Sequence, residues 1–473
     1  MKYLKSYISI GVLLLFISCN KKEEGQNFDV LISSVNIVDV VSGKVIENQS
    51  VGINGDTIAL IESADKSQNH TGATTIDGTN KFIMSGLWDN HVHFRGGEEL
   101  IKANKDFLKL FIVNGITGVR DAGGDLTPDV LAWKTAINNN NLIGPAIFTS
   151  GPKLDGPNPT WAGSIEVENE SQIITAIDSL ESLNVDFIKI YDSRISRESY
   201  LTILKEAKKR GMLTSGHMPF TVNLGEAIEN GIGSVEHLYY ILKGCSSKEK
   251  EITEAVIRGE MGFWDSFEEV MRTYDDEIAK NTFEALKQQN THVVPTLHIG
   301  DVLSYLDEND HTTDEYLSYI DPGIIKTYEG RIRGALNASP EAKIRRKNLQ
   351  KMFVELVPRL QKAGVKMLAG SDSGAFNSYT YPGISLHKEL EEMVKSGLTT
   401  QEALKTSTYN GAAFLGHDDH YGTFALGKSS DLIILSGNPL EDITNTRTIE
   451  YVILGETVLN KENLNQMLAT LKD

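Results

Sequence analysis

The chain has 473 residues, 40% hydrophobic and 23% charged, with 41 Gly and 12 Pro. That length suits one large domain with a smaller satellite, and the composition argues against wholesale disorder. The formal net charge of −18 would repel phosphate backbones, so nucleic acid is not expected as a partner.

The chain opens on a short basic stretch, Met1 to Lys5, followed by an apolar run at 8–17 that is too short to span a bilayer comfortably. Ser18 and Cys19 close this run. The pattern resembles a bacterial secretion signal ending in a lipobox, with Phe16 where leucine is usual. The resemblance implies cleavage before Cys19 and lipidation of its thiol. Residues 20–27 would then be a solvated tether, and the protein would be exported. It would sit on the periplasmic face or the cell surface, with the lipid as its only membrane contact. With Cys19 lipidated, the second cysteine, Cys245, has no disulfide partner and reads as structural.

Residues 28–82 carry alternating apolar runs broken by Ser-Gly and Asn-Gly turns, and 421–473 contains two more such runs. These two ends are expected to pair into a small β-sandwich. Between them, in residues 83–420, apolar β-branched runs end in Gly, Asp or His. They lie near 83–93, 116–121, 146–150, 186–191, 212–217, 233–237, 292–297 and 365–372. Helical patterns at 98–114, 170–183, 197–210 and 223–230 fall between them. This alternation predicts an α/β fold, a parallel (β/α)8 TIM barrel. Two charged helical stretches, 243–290 and 301–362, exceed what a barrel needs. They follow the sixth and seventh strands. They are either a wall over the catalytic face or a decorative outer layer.

His91 and His93 stand two apart at the end of the first barrel strand, so both imidazoles face the same side. In the fourth strand, period two puts Phe187, Lys189 and Tyr191 on one face, and Ile188 and Ile190 on the face toward the helices. Lys189 therefore points into the barrel. A buried ammonium there must be paired, neutral or modified. Carbamylation would turn it into an anion with two oxygens. His217, His237 and Asp372 end the fifth, sixth and eighth strands. Six potential ligands thus gather at one end of five strands. Their imidazoles and carboxylate suit zinc first, with manganese, cobalt or iron as alternatives.

His91-x-His93, Lys189, His217, His237 and Asp372 together resemble the amidohydrolase superfamily, and more narrowly its imidazolonepropionase-like and prolidase-like branch. The stretches GLWDNHVH, GITGVRDAGG and GTFALGKSSDLIILSGNPLEDI share that likeness. The resemblance implies two divalent ions. His91, His93 and Asp372 would hold one, His217 and His237 the other, and a carbamate on Lys189 would bridge them. It further implies attack on an amide carbonyl by a metal-bridging hydroxide, with Asp372 as the catalytic proton shuttle. Substrates would be N-acyl amino acids or dipeptides. Tyr191 and one arginine are expected to bind a substrate carboxylate. The candidates around the mouth are Arg120, Arg194, His298 and His387. Three other readings stay open: a one-metal deaminase or cyclic-amide hydrolase, a lactonase or phosphotriesterase, and a non-catalytic binding lipoprotein. Oligomeric state is not legible.

Overall fold

The computed structural model describes residues 25–472. The secretion signal, Cys19 and most of the tether lie outside these residues. Both chain ends meet in one sheet of eight strands. Asn27–Asp39 pairs with Lys44–Asn54, Thr71–Asp77 and Phe82–Ser85, and the last of these pairs with Leu432–Leu435 from the far end of the chain. Val30, Ile32, Ile53, Ile83, Leu432 and Ile453 form its private core.

The run expected as one strand over 83–93 is two. Phe82–Ser85 belongs to the small sheet, and Leu87–Val92 opens the barrel. Gly86 is the joint. A Cβ there would lie 2.1 Å from the Thr117 hydroxyl oxygen, so only glycine lets the chain pass from one sheet to the other.

From Leu87–Val92 the barrel runs in parallel through Ile116–Asp121 and Ala146–Thr149, then Ile188–Ile190, Thr214–Gly216, Ser234–Glu236 and His292–Val294. A hydrogen bond from the Asp186 amide to the Thr149 carbonyl (2.9 Å) links the third and fourth strands. The eighth segment closes the ring through single parallel bridges, Met367 to Val293 and Ser373 to Val92. Helices cover the outside. Glu170–Ser182 is representative: Asn169 caps its first turn, and Ile173, Ala176, Ile177 and Leu180 bury the stripe that faces the strands.

The two long insertions are helical and sit over the carboxyl end of the strands. Phe263–Arg272 and Asp276–Gln288 come from the first, and Glu329–Leu336 and Pro340–Ala363 from the second. At the mouth Tyr239, just beyond the sixth strand, packs edge to face at 5.0 Å with Phe353 of the second insertion. Among the described residues no helix is long and apolar enough to cross a membrane.

Candidate metal centre

The side chains at the strand ends converge because each strand end is fixed to its neighbour. The His217 amide bonds the Ile190 carbonyl, His237 bonds Val294, Asp372 bonds His91, and His93 bonds Ser373. His237 and Asp372 both adopt the left-handed region, with φ of 66° and 54°. Such residues cost about 1–3 kcal/mol each and persist where surrounding structure holds them, typically at functional sites.

His91, His93 and Asp372 form a buried group able to hold a divalent cation, with one donor atom from each lying within 4.8 Å of the others. The two Nε2 atoms are 3.2 Å apart, and Asp372 Oδ1 is 3.5 Å from the first and 3.2 Å from the second. The His237 Nε2 stands 4.0 Å from the other Asp372 oxygen, and the His217 and His237 ring centres are 4.9 Å apart.

Each of these four imidazoles is held by its Nδ1. In His91 that nitrogen donates to the Glu236 carboxylate, in His93 to the Gly123 carbonyl (3.0 Å), and in His217 to Asp192 (3.0 Å). In His237 it meets the Thr296 hydroxyl at 2.6 Å. With Nδ1 carrying the proton, every Nε2 presents a lone pair, as a metal ligand must. Burial keeps His91, His93 and His237 from protonating, with help from Lys189, Arg95 and His217 respectively. Burial alone would raise the Asp372 carboxyl, but a proton on the Nε2 side of His91, His93 or His237 would hold it well below the usual carboxylate range.

Lys189 has no exposed surface, and its Nζ finds no hydrogen-bond partner among the described residues. Burial lowers this ammonium to about 8, against the opposing pull of Glu236. Its neighbours on the adjoining strands, Ser215 and Ser234, are small.

Glu236 was not singled out from the sequence. Its carboxylate lies at the floor of the barrel with no exposed surface and takes bonds from His91, Arg120, Ser215 and Ser234. The unexplained Arg120 was the available signal, since a guanidinium inside a barrel requires an anion. The expectation that Arg120 meets substrate is therefore corrected. It is fully buried and engaged with Asn90, Ser215, Ser234 and Glu236.

Above the metal group opens a cavity of about 550 Å³, floored by Tyr191, His217, His237 and Asp372. Tyr191 packs its ring 4.3 Å from that of His217. Arg194 and His298 do not line it. Arg194 is exposed on the loop beyond Tyr191, and the His298 backbone amide bonds the Glu389 carboxylate at 2.7 Å. His387 is fully buried between Thr446 and the Asn114 carbonyl, away from the cavity. The insertions prove to be walls, contributing Phe263, Trp264, Arg331, Arg346 and Phe353. Which insertion residues face inward depends on how the helices dock, which helical spacing alone does not specify.

Comparison with known proteins agrees with this geometry. An ochratoxinase from Aspergillus niger is 21% identical over 461 residues, covering 85% of this chain and 80% of its own. The structure of a Xaa-Pro dipeptidase with bound methionine in its active site superposes with a TM-score of 0.65 at 20% identity, covering 91% of this chain and 99% of the other. A bottromycin amidohydrolase gives a TM-score of 0.74 at 20% identity, covering 93% and 90%. The family model for amidohydrolases matches residues 82–458, which takes in the barrel and the side chains at the strand ends described above. The chain belongs to the amidohydrolase family, hydrolases of carbon–nitrogen bonds, and carries a metal-binding group of His91, His93 and Asp372.

Proposed function

We propose that the protein hydrolyses the amide bond of an N-acyl amino acid or dipeptide at a centre of two divalent ions, zinc by the chemistry of its donors. His91, His93 and Asp372 would hold one ion, and His217 and His237 the other, with a carbamate on Lys189 between them. The observation that carries this reading is the Lys189 ammonium, wholly buried and without a partner, within electrostatic reach of His91, His237 and Asp372. A buried, unpaired cation beside four imidazoles is costly as it stands. Its neutral amine can add carbon dioxide, forming an N–C bond and releasing a proton, which leaves the anion that a pair of cations needs.

Ions bound here would polarise the substrate carbonyl and make water a nucleophile near neutral pH. The chain's own residues do the rest. Glu236, Gly123, Asp192 and Thr296 fix the imidazoles. Asp372, ionised and facing the cavity, takes the proton from the attacking water and delivers it to the departing nitrogen. Tyr191 presents its phenol to the bound substrate from the same floor. The likeness to an ochratoxinase, a Xaa-Pro dipeptidase and a bottromycin amidohydrolase supports an amide as the substrate.

The test is metal content per chain, on protein lacking residues 1–19 and prepared with zinc and bicarbonate, beside Lys189→Ala. About two ions in the parent, with fewer ions and lost turnover in the variant, are expected. About one ion in both would move the assignment to a one-metal deaminase or cyclic-amide hydrolase.

Anchoring through Cys19 is part of the same proposal, supported by the apolar run at 8–17 ahead of Ser18-Cys19. Cys19→Ala should move the protein from the membrane fraction to the soluble one. Unchanged fractionation would remove the anchor.

A further inference from the structure

Two arginines line the cavity without a counter-ion. Arg331 comes from Glu329–Leu336 and Arg346 from Pro340–Ala363, both in the second insertion. Both are half-buried, and among the described residues neither guanidinium makes an ion pair or a hydrogen bond. Surface arginines such as Arg258, Arg272 and Arg359 pair with nearby carboxylates. Of the residues lining the cavity, only Asp192 and Asp372 are acidic. Asp192 is committed to His217 and Tyr240, and Asp372 belongs to the metal group. The pocket thus holds positive charge that nothing in the fold neutralises. Part of the wall is apolar, from Phe263, Trp264, Leu349 and Phe353. A cavity of about 550 Å³ is far larger than a glycine derivative requires.

We propose that Arg331, with Arg346 beside it, binds the carboxylate of the substrate while the apolar wall takes a large side chain, so that the substrates are N-acylated aromatic or branched aliphatic amino acids. This rests on the amide-hydrolase reading and deepens it. Both arginines line the cavity, and the charge of Arg331 is felt by Tyr191 on its floor as well as by Tyr239, which makes Arg331 the principal reader. Its planar fork suits a carboxylate held by two bonds, and the low-dielectric wall strengthens both.

The experiment compares N-acetyl-L-phenylalanine, its C-terminal carboxamide and N-acetylglycine on the zinc-loaded parent and on Arg331→Met, Arg331→Lys and Arg346→Met. In the parent the carboxylate should be preferred over the carboxamide, and phenylalanine over glycine. Arg331→Met should lower kcat/KM for the carboxylate about 10- to 100-fold, mostly through KM, and leave the carboxamide nearly unchanged. Arg331→Lys should recover part of the loss, and Arg346→Met should lose less. A second arm measures calorimetric binding of 4-phenylbutanoate against 4-phenylbutanamide, which needs no turnover. Equal hydrolysis of acid and carboxamide in the parent, or an Arg331→Met loss shared by both, would overturn the inference and leave the amidase standing. No hydrolysis of any amide, with Arg331-dependent preference for phenylbutanoate, would remove the amidase reading and keep the carboxylate site. No hydrolysis of any amide together with no preference for phenylbutanoate removes both.

Discussion

Arg120 and Glu236 form an ion pair at 2.9 Å inside the barrel, and neither side chain has any exposed surface. The same carboxylate orients His91 through its Nδ1. The pair therefore serves the fold and the metal group at once. Burial alone would raise the Glu236 carboxyl, yet Arg120, Lys189 and His91 hold it well below its ordinary range. Arg120→Met should leave this charge buried with one fewer partner and destabilise the protein by about 3–5 kcal/mol. Urea denaturation checks this. The double variant Arg120→Met, Glu236→Gln should recover part of the loss, because the uncompensated charge goes with it. A double variant no more stable than Arg120→Met would mean that the arginine acts through packing alone.

The Asp192 carboxylate joins His217, at 3.0 Å, to the Tyr240 hydroxyl, at 2.7 Å. Asp192→Asn can keep a bond to one partner but loses the charge that makes the imidazole a strong ligand. Zinc affinity or turnover should fall about 10- to 100-fold, with the fold intact by circular dichroism. Zinc titration against a competing chelator reads this directly. An unchanged affinity and rate would demote Asp192 to a packing residue.

Much of this architecture was legible because strands advertise themselves in two ways. Ile188 and Ile190 mark the outer face and so fix Lys189 as inward, and the polar ends at His93, His217, His237 and Asp372 mark the mouth. What stayed hidden depends on distant partners. Thr296 and Asp192 hold imidazoles from other strands, and no local pattern says that a loop residue will meet a histidine. Arg331 and Arg346 lie on insertion helices whose inward face is set by docking. Gly86 escaped notice because a strand that ends one sheet and a strand that begins another read as one apolar run when a single residue separates them.

Asn377 orients Asp372. Its amide donates to the Asp372 carboxylate at 2.7 Å and to the Asp372 carbonyl, and its own oxygen accepts from Arg95 at 3.0 Å. Arg95 is itself clamped 4.0 Å over the Trp161 ring. Asn377→Leu keeps the branched shape and removes the two bonds to Asp372 along with the one from Arg95. A hydrogen bond to a charged group contributes about 1.5–3 kcal/mol, so kcat should drop about 10- to 100-fold at saturating zinc while KM moves little. Steady-state kinetics would settle the matter: a loss confined to KM would place Asn377 with the substrate rather than with Asp372.

His387 supplies a pH prediction remote from the metal group. Its Nε2 donates to the Asn114 carbonyl at 2.9 Å, and its Nδ1 lies 2.9 Å from the Thr446 hydroxyl, which itself donates to the Ile443 carbonyl at 2.8 Å. Burial, resisted by the Asn114 bond, lowers its pKa to about 4. The unfolded ring takes a proton near 6.5, well before the folded one does. Between these values the unfolded state binds more protons, so the contribution is complete above the unfolded pKa and is lost as pH falls toward 4. At pH 5 the loss from this one residue should be about 2 kcal/mol relative to pH 7. A glutamine can donate to the Asn114 carbonyl without titrating. His387→Gln should therefore lose less stability than the parent between pH 7 and pH 5 in urea denaturation. Parallel losses in the two proteins would show that the ring escapes protonation differences altogether, and the acid sensitivity would then belong to other buried groups such as His292, which burial lowers to about 4.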